Sequence, residues 1–249
     1  MKVDKLRTVI IYIIIILLGL VCLLPLLNIV AISFSSSAAV EGNMVGLIPV
    51  GFSTAAYKKI LEDSQFWHSF LISVERVVLA LIINFVLIVL MAYPLSKTNA
   101  QFRGRNIYAN LMIFAMLFNG GMIPTFLVVK SYGLLNTVWA LVLPGAVPIF
   151  NVILVMNFFA AVPKELEEAA FIDGANPLQV LTKIFIPISK PVLATVSLFS
   201  IVGSWNDFYS GLIYMSKAAY YPLMTYIQSL QINVEDLIKQ GNLSAVVDS

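Results

Sequence analysis

Apolar residues run through this chain in blocks too long for an amphipathic surface helix. Val9 to Ile32 is almost unbroken Ile, Leu and Val, and further blocks run from about Phe70 to Tyr93, Ile107 to Val129, Val138 to Ala161, and from Pro187 or Pro191 to Tyr214. Runs of about 18 apolar residues mark membrane spans. The pattern therefore predicts an all-α polytopic membrane protein with five transmembrane helices in this chain. Several blocks are punctuated. Pro25 and Asn28 near the end of the first suggest a bend or an interior-facing polar spot, Asn119-Gly120-Gly121 and Pro124 interrupt the third, and Pro144, Gly145 and Pro148 bend the fourth ahead of Asn151 and Asn157. A break at membrane depth frees backbone groups that must find partners inside protein or in a wet cavity. The third block thus points to a pathway or a hinge, the alternative being a kinked helix that merely packs.

Between the fourth and fifth blocks lies a polar stretch with its own local code. It starts Val162-Pro163-Lys164-Glu165-Leu166-Glu167-Glu168-Ala169-Ala170-Phe171-Ile172-Asp173-Gly174-Ala175-Asn176-Pro177 and ends Ile184-Phe185-Ile186-Pro187. Pro163 suits a first helical position, and Glu165, Glu167 and Glu168 crowd the first turns, where the helix dipole favours negative charge. Gly174 stands where a left-handed cap would end that helix, and Pro177 can open a second. The product is a helix–turn–helix finger returned to water, with Ala169 and Ala170 side by side where a partner's surface could approach.

The remaining segments read as follows. Residues 1–8 are a tail, 9–32 the first span, 33–66 a polar, Gly/Ser-rich extramembrane segment with a short helix near Tyr57 to Leu61, 67–216 the transmembrane core with its finger at 162–186, and 217–249 a mixed C-terminal segment. The first block is longer than a signal-peptide core of about 7–15 residues, which favours a retained span over a cleaved leader. Lys2, Lys5, Arg7, Lys97, Arg103, Arg105, Lys164, Lys183 and Lys190 would share one side, against Lys58, Lys59, Lys130, Lys217 and Lys239 on the other. That asymmetry puts the N-terminus and the finger in the cytoplasm, and segments 33–66 and 217–249, with Ser249, outside.

Hydrophobic residues make up 60% of the 249 residues and charged ones 11%, so the few intramembrane polar groups carry the chemistry. Glu75 and Arg76 are adjacent and cannot face one another on a helix. They read either as a buried pair contacting substrate or another span or, the favoured reading, as a level near the interface where Arg76 snorkels outward. Trp205, Asn206, Asp207 and Tyr209 supply aromatic faces and planar polar groups of the kind that bind sugars; the rival reading is an aromatic belt with a helix-end carboxylate. Asp207 is the strongest of the four. Asn119 and Asn151 join them as candidate pathway residues. Phe66 and Trp67 fit an interfacial belt. The lone Cys22 has no disulfide partner and reads as packing, and the lone His68 gives no ligand cluster, so no metal site and no catalytic residue are expected.

The finger resembles a known element. Glu168-Ala169-Ala170, Gly174 and Ile184-x-Ile186-Pro187 are similar to the EAA loop of bacterial ABC importer permeases, with Ile186 where that family usually has Leu. Asn119 to Pro124, Gly133-Leu134-Leu135-Asn136-Thr137, Asn157-Phe158-Phe159 and Gly203 to Phe208 resemble the carbohydrate-uptake permeases, maltose-type, particularly the branch associated with complex oligosaccharides. The resemblance implies a multi-pass subunit of the bacterial cytoplasmic membrane, a heterodimer with a second permease, two ATPase subunits that hold ATP and Mg, and an extracellular solute-binding protein that delivers the sugar. No cofactor on this chain and no nucleic-acid partner are expected. Glu165, Glu168, Ala169, Ala170, Asp173, Gly174 and Pro187 would form the ATPase joint. The family pattern has six spans; nothing after Tyr214 is long and apolar enough for the last.

Other classes explain less. No G-x-x-x-x-G-K-[ST] loop occurs, so hydrolysis belongs to a partner. A secondary transporter or channel fits the broken spans, but no internal repeat is visible and an acidic, alanine-bearing finger has no task there. An intramembrane enzyme lacks a nucleophile–base pair.

Overall fold

The computed structural model describes the backbone of residues 2–239 and the side chains of residues 7–231; the expectations for residues 240–249, including the side on which Ser249 ends, lie outside the described residues. The described residues are helical, with no strand among them. They form two compact units, one running to Ser64 and one from Gln65.

In the first unit, α1 (Lys2–Ser33) is followed by α2 (Ser37–Glu41) and α3 (Ala55–Glu62). Helix α1 is apolar on every side and exposed along almost its whole length, as a helix that faces lipid or another subunit must be. Cys22, expected to pack, is exposed on it. Asn28 is the polar spot the pattern foresaw, and its amide donates to the carbonyls of Gly46 at 2.7 Å and Val45 at 3.3 Å. Phe34 stacks on Phe52 and Tyr57, with centroids 5.7 and 4.9 Å away, which folds the segment after α1 into a small knot.

In the second unit, α4 (Ser64–Leu95) begins six residues before the apolar block, so Phe66, Trp67 and His68 sit on the helix rather than ahead of it. Its periodicity is that of a membrane protein. Leu71, Val78, Ile82, Val86 and Leu90 are exposed, whereas Ser69, Ser73, Arg76, Ala80 and Asn84, followed by Ile88, Val89, Ala92 and Leu95, are buried. The inward stripe is polar in one half and apolar in the other. The third block splits into α5 (Arg105–Leu117) and α6 (Met122–Ser131), which meet at 111°. Gly121 carries the break with φ +89°, a value that favours glycine, whereas Pro124 sits in the first turn of α6, where its missing N–H costs nothing.

The fourth block is α7 (Val138–Val142) with a 3₁₀ turn, Leu143–Gly145, then α8 (Ile149–Ala160) at 47°. The finger holds α9 (Lys164–Ile172) and α10 (Pro177–Val180), continued by a π-helical turn, Leu181–Phe185, and α11 (Ile186–Ile188). An 84° turn at Ser189 leads into α12 (Lys190–Asn206), so the fifth span starts nearer Pro191 than Pro187. That span does not continue to Tyr214. It stops at Asp207 and resumes as α13 (Tyr209–Tyr214), and a final helix, α14 (Leu223–Lys239), follows. Helices α1 and α4 are long and apolar enough to cross a membrane alone, and the three bent pairs, α5 with α6, α7 with α8 and the finger's return arm with α12, reach that length and hydropathy together.

One apolar cluster packs Ile88, Ala92 and Leu95 of α4 against Val152, Val155 and Phe159 of α8, Phe185, and Leu193 and Val196 of α12. A second joins Val129 of α6, Ala140 and Leu141 of α7, Tyr214 and Met215. Helix α14 docks through close contact at Gly211, where a Cβ would stand 2.8 Å from Thr225 Cβ and 2.9 Å from Thr225 Cγ2. Gly211→Ala is therefore expected to cost about 1–3 kcal/mol, read as a lower Tm of the purified protein. Gly203→Ala, where nothing lies within 4 Å of the added methyl, leaves Tm unchanged or raised.

Candidate functional site

Local rules build the finger. Glu165 and Glu167 lie in the first turn of α9, and Pro163 stands just outside it at the N-cap position, without a side-chain hydrogen bond, instead of at the expected first helical position. At the other end Gly174 takes φ +82°, the Ala175 N–H donates to Ala170 O at 2.9 Å and Gly174 N–H to Phe171 O at 3.1 Å, the double bonding of a left-handed cap. Asn176 and Gln179 then form a reciprocal capping box, each side chain accepting from the other's backbone N–H at 2.9 Å, with Pro177 in the first position of α10. The sequence carries that box in the Asn-x-x-Gln spacing of Asn176 and Gln179, beside the Pro177 that opens α10. The end of α9 and the start of α10 are thus satisfied within the finger itself.

Its surface is made for contact. Ile172 is 85% exposed, with Leu166, Phe171 and Leu178 exposed around it, on an element otherwise polar. Beside them lies a concavity of about 510 Å³ lined by Ala170, Asp173, Gly174, Gln179 and Lys183. Glu165, Glu168, Ala169 and Asp173 are exposed, whereas Ala170 turns inward and packs against the first apolar cluster, so the two alanines do not share one face. Pro187 stands apart at the base of the finger, in α11.

Glu167 was missed as a site residue. Rather than facing solvent at the helix N-terminus, it is 8% exposed and accepts a hydrogen bond from Lys97 Nζ at 2.7 Å, with Tyr93 Oη 3.4 Å away. The Lys97 ammonium lies 4.1 Å from the Tyr93 ring centre and 4.2 Å from that of Phe185. Burial lowers the Lys97 pKa below its usual value, and the hydrogen bond and charge of Glu167 work against that shift.

At membrane depth the inward polar stripe of α4 meets the break after α12. Arg76, 4% exposed, pairs with the Asp207 carboxylate and donates from Nη1 to the Asp207 carbonyl at 2.8 Å. The expectation that Arg76 snorkels outward is overturned: a guanidinium facing lipid has no acceptors, while the interrupted helix offers a carboxylate and a freed carbonyl together. Asp207 also accepts from the Ser210 N–H at 3.1 Å, so it caps α13 as well. A second break is served from the same helix. Turned with its nitrogen towards them, the Asn84 amide donates to Ala146 O at 3.0 Å and Ala80 O at 3.2 Å. Arg76, Ala80, Asn84 and Asp207, with Ser204, Ser210, Tyr214 and Gly145, line a cavity of about 200 Å³. Arg76 Nε has no protein partner among the described residues.

Of the candidate pathway residues only Asp207 lines this cavity. Trp205 sets its ring edge-on against Phe70, centroids 5.9 Å apart, extending a ladder from Phe66 and Trp67. Asn206 donates to Val202 O at 3.0 Å on its own helix, and Asn151 is buried on α8. Asn119 accepts from the Gly121 N–H at 2.9 Å and so braces the break before α6, while Tyr209 Oη donates to Met122 Sδ at 3.0 Å, which joins that break to α13. The signal for Arg76 and Asn84 lay in the three- and four-residue spacing from Ser69 to Asn84.

Residues 48–246 match the family described as binding-protein-dependent transport system inner membrane component. The chain is 44% identical over 214 residues to protein LplC of Bacillus subtilis, covering 86% of this chain and 72% of that one. It is 39% identical over 241 residues to the polygalacturonan/rhamnogalacturonan transport system permease protein YtcP of the same organism, covering 97% and 83%. Among solved structures, a chain of a bacterial ABC transporter involved in the import of the acidic polysaccharide alginate superposes with a TM-score of 0.83 at 34% identity, covering 92% of this chain and 81% of that one.

Removing one partner of the buried pair leaves the other charge uncompensated. Asp207→Asn and Arg76→Met are each expected to destabilise the purified protein by about 3 kcal/mol, the less severe end of the usual cost because Asp207 keeps 30% exposure. The double variant should lose less than the two singles combined, measured as a double-mutant cycle in thermal or denaturant unfolding.

Proposed function

We propose a carbohydrate-importing role on one established premise: the chain belongs to the binding-protein-dependent transport system inner membrane component family and is a multi-pass transmembrane permease of an ABC importer. Such a permease works with a partner permease, an ATPase and a solute-binding protein. The names carried by similar chains, polygalacturonan/rhamnogalacturonan transport in one and alginate import in another, support an oligosaccharide or polysaccharide cargo delivered by the binding protein. The chain is one half of a heterodimer in the bacterial cytoplasmic membrane, seated on two ATPase subunits. ATP and Mg reside on those subunits, and this chain binds no cofactor.

The observation that carries the coupling role is the self-capped finger with its exposed Ile172 edge and adjoining concavity. Glu165, Glu168, Ala169, Asp173 and Gly174 form the joint, Ala170 seats the finger on the core and Pro187 marks its base. The finger and the basic loop after α4 meet through Lys97 and Glu167, so both lie on one side, and the Lys/Arg asymmetry supports a cytoplasmic placement for that side and for the N-terminus. The segments at 33–66 and 217–239 then face outward. Closure of the ATPase dimer moves the finger as a rigid body, and α8 and α12, which enter and leave it, carry the displacement to the cavity around Asp207. Its mixed donors and acceptors suit a polyhydroxylated solute, with Trp205, Asn206, Tyr209, Asn119 and Asn151 along the neighbouring path.

Because nothing lies within 4 Å of a Cβ placed at Gly174, a substitution there acts through the left-handed backbone and the added group, not through a clash. Gly174→Asp and Glu168→Lys are expected to abolish ATPase pull-down and binding-protein-stimulated hydrolysis while the permease stays inserted. Native association and hydrolysis in both variants would overturn the coupling role.

A further inference from the structure

The finger is covalently continuous with α8 and α12 but not with α4, yet its most buried charge belongs to a contact with the end of α4. Glu167 lies on the outgoing arm of the finger and Phe185 on the return arm, while Lys97 and Tyr93 belong to α4 and the residues just beyond it. One ammonium group touches all of them: 2.7 Å to Glu167 Oε2, 4.1 Å to the Tyr93 centroid and 4.2 Å to the Phe185 centroid. Tyr93 and Phe185 also meet edge to face at 5.1 Å, and Phe185 meets Phe159 of α8 at 5.4 Å. The side chains of Lys97 and Glu167 are 12% and 11% exposed, so water screens the pair weakly and neither partner has another place to put its charge. Beside it Arg105 Nε donates to Leu95 O at 2.8 Å, which closes the end of α4.

We infer that Lys97, Glu167 and Tyr93 form a latch that makes α4 a third arm of the coupling apparatus, carrying movement of the finger to the polar cavity. Tyr93 and Arg76 lie on the same helix 17 residues apart, about 25 Å along its axis. Arg76, Ala80 and Asn84 of α4 form one wall of the cavity, and Gly203, Ser204 and Asp207 form the facing wall. A finger that drags α4 relative to α12 therefore acts directly on the Arg76–Asp207 pair. Apolar packing of Ile88, Ala92 and Leu95 already joins α4 to α8 and α12, and the latch adds a charged tie to the finger itself that fixes how far α4 follows it. Lys97, Glu167 and Tyr93 are positioning residues that touch neither nucleotide nor solute.

The inference rests on the finger being the ATPase joint, and one experiment separates the two. The whole transporter, reconstituted in proteoliposomes with its partner permease, ATPase and binding protein, is assayed for solute moved per ATP hydrolysed and for ATPase pull-down. Glu167→Gln and Lys97→Met should each lower solute moved per ATP by about tenfold with the ATPase still bound, because each leaves one charge of the latch unmatched. The double variant should be no worse than either single, and Lys97→Arg should stay close to native. Native coupling in both singles, or losses that multiply in the double, would overturn the latch. Should Glu167→Gln fail to assemble, Glu167→Asp, which keeps the charge but retracts it by one methylene, must be impaired; native coupling there overturns the latch too. Failure of the finger reading shows differently, as retained ATPase and native coupling in Glu168→Lys and Gly174→Asp.

Discussion

A span broken inside a lipid bilayer must hand every freed backbone group to another part of the protein, and this structure is arranged around meeting that demand. The break after α12 gives its Asp207 carbonyl to Arg76, and the Phe208 carbonyl to Thr225 Oγ1 at 2.9 Å. The bend before α8 gives the Ala146 carbonyl to Asn84. Asn119 serves the Gly121 N–H at the sharpest break, and the turn after α6 is tied by Asn136, whose N–H donates to Tyr214 O at 3.1 Å and whose side chain accepts from Ser216. Buried polar side chains that would be costly in an unbroken bundle are thereby matched to groups that would be costly in a broken one.

The finger obeys the opposite economy. Its polar, exposed stretch of chain is closed by local devices: a left-handed glycine, a capping box and acidic first turns. Self-sufficiency leaves its outer surface uncommitted, which is what a docking element requires. Only its root is drawn into the protein, where Ala170 and Phe185 join the apolar cluster and Glu167 meets Lys97. In the proposed coupling role, rigidity at the tip and attachment at the root together let a displacement pass through the finger instead of being absorbed in it.

Helix α4 runs between these two regimes. At one end its inward face is Ile88, Val89, Ala92 and Leu95, close-packed against the helices that carry the finger, and in the middle it is Arg76 and Asn84, facing an open cavity. A densely packed end transmits force and a hydrogen-bonded, partly empty middle has room to rearrange.

The long apolar blocks, the finger with its Gly174 turn and the breakers at Gly121 and Pro148 were legible in the amino-acid order, because bilayer thickness, positive φ and missing N–H groups act within a few residues of chain. The family relation was legible for the same reason, being carried by short motifs. What the order could not decide was which groups meet across long loops. Arg76 and Asp207 are 131 residues apart and Lys97 and Glu167 are 70, and no local periodicity joins them. Arg76 therefore read as snorkelling and Glu167 as a dipole ornament, and the break after Asn206 passed unseen because no glycine or proline announces it. Only the tertiary structure placed a carboxylate beside that guanidinium and an ammonium beside that glutamate, since the desolvation that compels a buried charge to find its partner exists only once the helices have packed.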